Sequence, residues 1–390
     1  MVKDKIKSLA NIQFEKYRSI RQHLHANPEL SYQEFNTSKL VQAHLKQLGV
    51  PFTVMAGTGV IGILKGKPSD RVVALRADMD ALPIQEENKV PYASTVKGVM
   101  HACGHDVHTA CLLGAAEILN ELKDEWEGTI KLIFQPGEEK NPGGASMLIK
   151  EGVLENPTPS AIFGLHVHPM LETGRLSFRA GKVMASADEI YITVKGKGGH
   201  AATPHLTSDT ILAASQIVVA LQQVVSRNNN PFSPSVLSIC SFQGGFTTNV
   251  IPSQVNLMGT FRAMDEKWRF EAHEKITEIV TNIGKAHGTE VDLRIDIGYP
   301  TVYNNPALNT SARNLGEDYI ELSNVEESEL RMGAEDFGYY SQRIPGCFFR
   351  LGTGNKLKGI ESGVHTPTFD VDEDAIEIGM GMMAYLGANG

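Results

Sequence analysis

The sequence predicts an α/β fold built on a largely parallel central sheet flanked by helices, into which a smaller α+β domain is inserted. Three observations carry this expectation. Helical patterns alternate with short apolar runs in the first half, those runs do not alternate with polar residues, and the texture changes near residue 186 before returning after residue 300. Strands that are apolar throughout are buried on both faces, as in a parallel sheet covered by helices.

In order, helices are expected up to about residue 25, over 32–48, 109–122 and 145–154. The strands between them are VIGIL (60–64), VVALRA (72–77), TIKLIF (129–134) and AIFGLH (161–166). In the inserted part EIYITVKG reads as a strand, and Ile211, Ala214, Val218, Leu221 and Val225 mark one face of a helix. SVLSICSF and VNLMGTFRA follow as alternating strands, Ala272, Ile276, Ile279 and Ile283 mark a second helix, and VDLRIDIGY closes the set. Strand, helix, strand, strand, helix, strand is the split βαβ, ferredoxin-like order. Helical segments, the apolar run CFFRLG and a last helix from about residue 372 then complete the first domain. The expected boundaries are 1–185 with 300–390 for the larger domain and 186–299 for the insertion.

Length and charge narrow the function. With 390 residues, 42% of them hydrophobic, the chain can build two cores. A net charge of -9 argues against nucleic acid or an anionic membrane as the partner, because either favours a basic face. Only four cysteines occur, at 103, 111, 240 and 347, without framework spacing, and no secretion signal or membrane-length apolar run is seen. A cytoplasmic protein with free thiols is expected.

Four apolar runs are followed by residues that bind cations or move protons. Asp78 and Asp80 come after VVALR, Glu138 and Glu139 after TIKLIF, His166 and His168 at AIFGLH, and His365 after a longer loop beyond CFFRLG. Ligands of open α/β sheets sit beyond the carboxyl ends of the strands, so these ends can converge on the dense cluster GVMHACGHDVHTACLLG at 98–114. Cys103 and His105, two apart on a loop before a helix, can reach one point. Thiolate, imidazole and carboxylate together suit zinc, manganese, nickel or cobalt. Of the paired carboxylates, one can ligate and the other can serve as a base; the surplus of acids suits an open catalytic site or one of two metals. A lone CxH pair is weak evidence, and His108, Cys111, His23 and His25 read better as capping or core residues. A cysteine nucleophile at Cys103, activated by His101 or His105, remains a rival, but it leaves Glu138, Glu139, His166 and His365 without a task. A non-catalytic metal-binding protein is a third possibility.

The motifs RADMDALPI, MHACGHDVHTACLLGAA, IFQPGEE, IFGLHVHP, VKGKGGHAATPH, TTNVIP and VHTPTF, in this order along nearly the whole chain, resemble the M20 family of metallopeptidases. The branch is that of the amidohydrolases that include hippurate and auxin-conjugate hydrolases. The resemblance implies a catalytic domain with two divalent ions (Mn, Zn, Ni or Co) and an inserted ferredoxin-like lid that mediates dimerisation. It implies Cys103, His105, Glu139, His166 and His365 as metal ligands, with Cys103 in a bridging position, Glu138 as general acid/base and Asp80 as the residue orienting a ligand. The family's histidine two residues before that aspartate is replaced by Asp78, whose role stays open. His200 is implied as an oxyanion-stabilising residue acting in the partner subunit's cleft, and Asn249 and Arg262 as substrate-binding residues, with a structural salt bridge as the alternative for Arg262. The implied activity is hydrolysis of N-acyl amino acids, with a dipeptidase or carboxypeptidase of the same family as the neighbouring alternative.

Overall fold

Four of the apolar runs form the middle of an eight-stranded sheet in the computed structural model, which describes residues 2–390. Glu127–Gln135, Lys67–Asp78, Ala161–Glu172 and Gly346–Gly354 lie side by side in that order, each parallel to the next. Gly59–Lys65 pairs antiparallel with Glu127–Gln135, and Phe52–Met55 lies outside it. On the other flank Leu176–Phe178 runs antiparallel to Gly346–Gly354, with Val325–Glu327 parallel to it at the edge. From Ile130 to Gln135 one central strand is buried at nearly every position, as unbroken apolar runs require when both faces are covered.

Helices α1 (Val2–Ala26), α2 (Phe35–Gln47) and α3 (His105–Glu121) pack with the C-terminal helix Ala375–Asn389 around this sheet. Helix α3 is buried from His105 to Ala116 because α1, the C-terminal helix and the sheet enclose it. It begins four residues earlier than the expected start at 109. Gly104, in the left-handed conformation, ends the preceding loop, and Asp106 places an acid in the first turn, where the helix dipole favours one. His105 is therefore the first helical residue and not part of the loop. Helix α2 begins at 35 and not at 32, since Tyr32 adopts a φ of 66° that a helix does not allow. The strand expected at 161–166 runs on to Glu172, paired with Gly346–Gly354.

The chain divides into two compact units. The first holds the sheet described above, together with Val302–Glu329 and Asp336–Gly390; the second holds Met184–Thr301 and Leu330–Glu335. In the second unit Ser235–Gln243, Gln254–Ala263, Ser186–Lys195 and Glu290–Ile297 form an antiparallel sheet in that order, the ferredoxin-like arrangement. Thr210–Gln223 and Glu266–Ala286 cover it, burying Ile217, Leu221, Ile276 and Val280 against Ile190, Ile192 and Leu257. Among the described residues no helix is long and apolar enough to cross a membrane.

Candidate metal centre

Cys103 and His105 flank Gly104, whose φ of 83° only glycine adopts readily. A Cβ added there would lie 2.5 Å from a methyl of Val167, so the close approach of this turn to the neighbouring strand depends on the missing side chain. His166 arrives on that strand. His365 arrives from the far end of the chain with a φ of 63°, rare for a residue with a side chain and costing about 1–3 kcal/mol. Its N–H donates to the Ala102 carbonyl at 2.7 Å, which locks the two loops together.

The donor atoms of Cys103, His105 and His166 lie within 4.8 Å of one another, and so do those of Cys103, Glu139 and His365. Cys103 belongs to both groups. A third group joins His105, Glu138 and Glu139. The Cys103 thiol is 3.5 Å from His166 Nε2, and Glu139 Oε1 is 3.1 Å from His365 Nε2 and 4.0 Å from His105 Nε2. All five expected ligands therefore converge, with Glu138, itself buried, beside them.

The ring orientations are set from behind. Asp80 Oδ1 accepts from His105 Nδ1 at 3.2 Å, and the Ser31 hydroxyl donates to Oδ2 at 2.6 Å. The same carboxylate accepts the Glu138 and Glu139 backbone N–H groups, both at 3.0 Å. His105 Nε2 is left as a buried atom without a hydrogen-bond partner. His166 Nδ1 donates to the Val167 carbonyl at 2.7 Å, so its Nε2 lone pair faces the thiol. Buried imidazoles fixed through one nitrogen, with the other presented to a shared space, have the character of metal ligands.

Charge points the same way. Burial lowers His105, yet Asp78 first, then Cys103 and Asp80, hold it well above an ordinary imidazole. Hydrogen bonds to Cys103 and Glu139 push His365 up to about 10. Burial raises Asp80, but the His105 hydrogen bond and charge, then Ser31 and the Glu139 amide, bring it below the usual carboxylate range. Protons thus occupy atoms for which a divalent cation competes, and the donor set fits such an ion. Burial and the Glu139 carboxylate raise the Cys103 thiol, the opposite of what an activated nucleophile needs.

Asp78, two residues before Asp80, is spent otherwise. Arg76 Nη1 donates to its Oδ2 and His108 Nδ1 to its Oδ1, both at 2.6 Å, while His108 Nε2 accepts the Val167 N–H at 2.9 Å. Asp78 Oδ2 is also 3.7 Å from His105 Nε2, and the donor atoms of Asp78, His105 and His108 lie within 4.8 Å of one another, so Asp78 borders the centre; His108, with both ring nitrogens bonded, is a core residue. His25 likewise bonds Asp106 and Glu86. His101 is buried with neither ring nitrogen hydrogen-bonded, and burial pushes it down to about 4.

In the second unit His200 and Asn249 are exposed neighbours: Gly199–His200 pairs with Val250–Ile251, and the Ala201 N–H donates to the Asn249 carbonyl at 3.0 Å. Arg262 lies on the strand Gln254–Ala263, eight residues on from Gln254. Its Nε donates to the Thr260 hydroxyl at 3.1 Å.

Sequence reasoning missed the supports. Arg76, a cation inside an apolar strand, was the available signal; it is held by Gln135 at 2.9 Å and Asp336 at 2.8 Å. Glu34, which accepts the Gly137 N–H at 2.8 Å, gave no signal of its own.

A parallel sheet with cysteine, imidazole and carboxylate donors at its rim, in a chain that also carries a ferredoxin-like unit, defines a metal-dependent hydrolase of carbon–nitrogen bonds. The chain belongs to peptidase family M20/M25/M40, whose family model matches residues 74–389. It is 42% identical over 372 residues to IAA-amino acid hydrolase ILR1-like 4 of Arabidopsis thaliana, covering 94% of this chain and 83% of that protein. It is 41% identical over 365 residues to thermostable carboxypeptidase 2 of Saccharolobus solfataricus, covering 92% and 91%. The structure of the Bacillus subtilis YxeP protein, described as a dinuclear metal-binding peptidase of the M20 family, superposes with a TM-score of 0.84 at 34% identity, covering 97% of this chain and 98% of that one.

Proposed function

We propose that the chain hydrolyses the amide bond of N-acyl amino acids, releasing a carboxylate and the free amino acid. The observation that carries this reading is the sharing of Cys103 by two donor groups, with the Glu138 carboxyl beside them on a turn whose amides are fixed. Cys103, His105, Glu139, His166 and His365 would hold two divalent ions of the manganese, zinc, nickel or cobalt kind. Such ions bring the pKa of water to about 7 and offset charge developing on the acyl oxygen. Glu138 takes the proton of the attacking water and returns it to the leaving amine. Asp80 keeps His105 in the tautomer that leaves Nε2 free, and His200 donates to the oxyanion.

The two relatives differ in the acyl side, one being named for an acylated amino acid and the other as a carboxypeptidase. Their leaving groups coincide: the amide nitrogen belongs to an amino acid with a free carboxylate. A guanidinium or amide grip on that carboxylate suits Arg262 and Asn249. The reading includes a homodimer in which one copy supplies His200 to the cleft of the other, with Asn249 and Arg262 binding the substrate carboxylate. All four thiols are free, in keeping with a reducing, cytoplasmic setting.

The test is Glu138→Gln. Turnover is expected to fall about 10²–10⁴-fold with both ions retained; loss of an ion instead reassigns Glu138 as a ligand. Assays on N-acetyl, N-benzoyl and indolylacetyl amino acids beside dipeptides separate the acylase reading from a peptidase one, since cleavage of dipeptides alone would favour the peptidase.

A further inference from the structure

The turn that presents Glu138 is gripped from a segment the chemistry above does not use. Residues 27–34 join α1 to α2 and run beside Asp80, where Leu30 bridges Ala81 and the Ala81 N–H donates to the Glu29 carbonyl at 2.8 Å. Within this segment Ser31 bonds Asp80, as described. Glu34, fully buried, accepts the Gly137 N–H at 2.8 Å on Oε1, the Tyr32 N–H at 2.8 Å on the same atom, and the Thr58 hydroxyl at 2.7 Å on Oε2. The Tyr32 hydroxyl accepts the Gly143 N–H at 3.0 Å and donates to the Lys140 carbonyl. Its ring lies where a Cβ on Gly137 would be, 2.2 Å from the nearest ring carbon, and Gly137 takes a φ of 51° to fit beneath it.

Three consecutive backbone N–H groups, those of Gly137, Glu138 and Glu139, therefore donate to two buried carboxylates, Glu34 and Asp80. Orienting these peptide planes decides where two adjacent carboxylates point. Here it sends Glu139 toward His365 and leaves Glu138 by His105.

Stability alone does not account for this choice of residue. A buried carboxylate satisfied by three neutral donors costs more than a neutral acceptor of the same shape. Burial, and after the opposing Thr58 bond the Asp80 charge, push the Glu34 carboxyl up, so the arrangement is held against repulsion.

We propose that Glu34 is a positioning residue for the general acid/base: by fixing the Gly137 peptide, it aims the Glu138 carboxyl at the water and the leaving nitrogen. This rests on the reading of Glu138 given above. A small misplacement of a reacting group can cost 10²-fold, which sets the scale of the expected loss.

The experiment is a double-mutant cycle between Glu34 and Glu138 in the metal-loaded enzyme, with kcat, KM and ion content measured for each variant. Glu34→Ala is expected to lower kcat about 10–100-fold, with KM and ion content near those of the parent enzyme. Glu34→Gln, whose amide oxygen still accepts from Gly137, is expected to recover most of that loss. On the Glu138→Gln background Glu34→Ala should change residual turnover by no more than about 3-fold, because the group it aims is already gone. Equal losses in both backgrounds, or an unchanged kcat with a lowered melting temperature, overturn the proposal and leave Glu34 a structural residue. Should Glu34→Ala not fold, Glu34→Asp decides, since withdrawing the carboxylate by one methylene keeps the charge and moves the turn: a kcat loss confined to the Glu138 background supports the proposal, and an unchanged kcat overturns it. Retained turnover in Glu138→Gln alone would instead remove the reading of Glu138 itself.

Discussion

Asp78 and Asp80 stand two residues apart at the end of one strand, both buried, and each accepts a hydrogen bond from the Nδ1 of a histidine on α3. The difference lies at the other ring nitrogen. His108 Nε2 receives the Val167 N–H, and the Asp78 cluster closes on itself through Arg76, Gln135 and Asp336. His105 Nε2 receives no hydrogen bond and faces Cys103, Glu139 and His166, with Asp78 Oδ2 at 3.7 Å. Val167 serves both sides, since its N–H occupies His108 and its carbonyl fixes His166. Two buried histidines paired to aspartates thus differ at the second nitrogen and in charge, since His105 is held well above an ordinary imidazole and burial brings His108 below one, while burial alone does not separate them.

The contrast can be broken by substitution. The largest effect is expected from His105→Ala, which should cost at least one ion per chain and about 10²-fold or more in kcat/KM, read by metal analysis beside the assay; an unchanged ion content would put His105 with His108. Next comes Asp80→Ala, where losing the partner behind the ligand should weaken metal affinity or activity about 10–100-fold, measured by titration with a competing chelator. Asp78→Ala should act on the fold instead. Leaving Arg76 with one carboxylate fewer in the core is expected to cost about 3 kcal/mol in urea unfolding of the metal-free protein, with ion stoichiometry unchanged after refolding. Selective loss of an ion from this variant would undo the distinction.

The smallest effect concerns the second unit, which holds its own closed cluster. Asp188 accepts Arg269 Nε at 2.8 Å, His273 Nε2 at 2.8 Å and the Gly298 N–H at 3.1 Å. Burial raises its carboxyl, but the Arg269 and His273 bonds outweigh this and bring it from 3.8 to about 2. A carboxyl depressed in the folded state adds stability that is full above its unfolded value and is lost as pH falls through the folded one. About 2 kcal/mol should therefore disappear between roughly pH 4 and pH 2. In a Trp126→Phe background Trp268 fluorescence reports this unit, and Asp188→Asn should flatten that acid dependence; an unchanged acid limb would count against the assignment.

Much of this was legible in the sequence because it is local or periodic. Unalternating runs such as TIKLIF gave the central strands; Glu139, His166 and His365 follow such runs, Cys103 and His105 stand in the dense cluster at 98–114, and the family resemblance implied the five as one ligand set. The start of α3 was missed because HDVH looks like loop, whereas a left-handed Gly104 and the acid at 106 make it a first turn. The Asp78 cluster stayed hidden because its meaning lies in pairings such as Arg76 with Asp336, far apart in the chain. Glu34 lies in a segment without periodicity, where nothing local marks a carboxylate as gripping a distant amide.

The left-handed backbone of His365, tied to the Ala102 carbonyl, has a consequence for biosynthesis. The second unit, Met184–Thr301 with Leu330–Glu335, is made between Ala102 and His365, so the bond between these two loops closes only after that unit has been synthesised. With His365 as the proposed fifth ligand, a chain cut before it is expected to hold its ions less tightly than one that includes it.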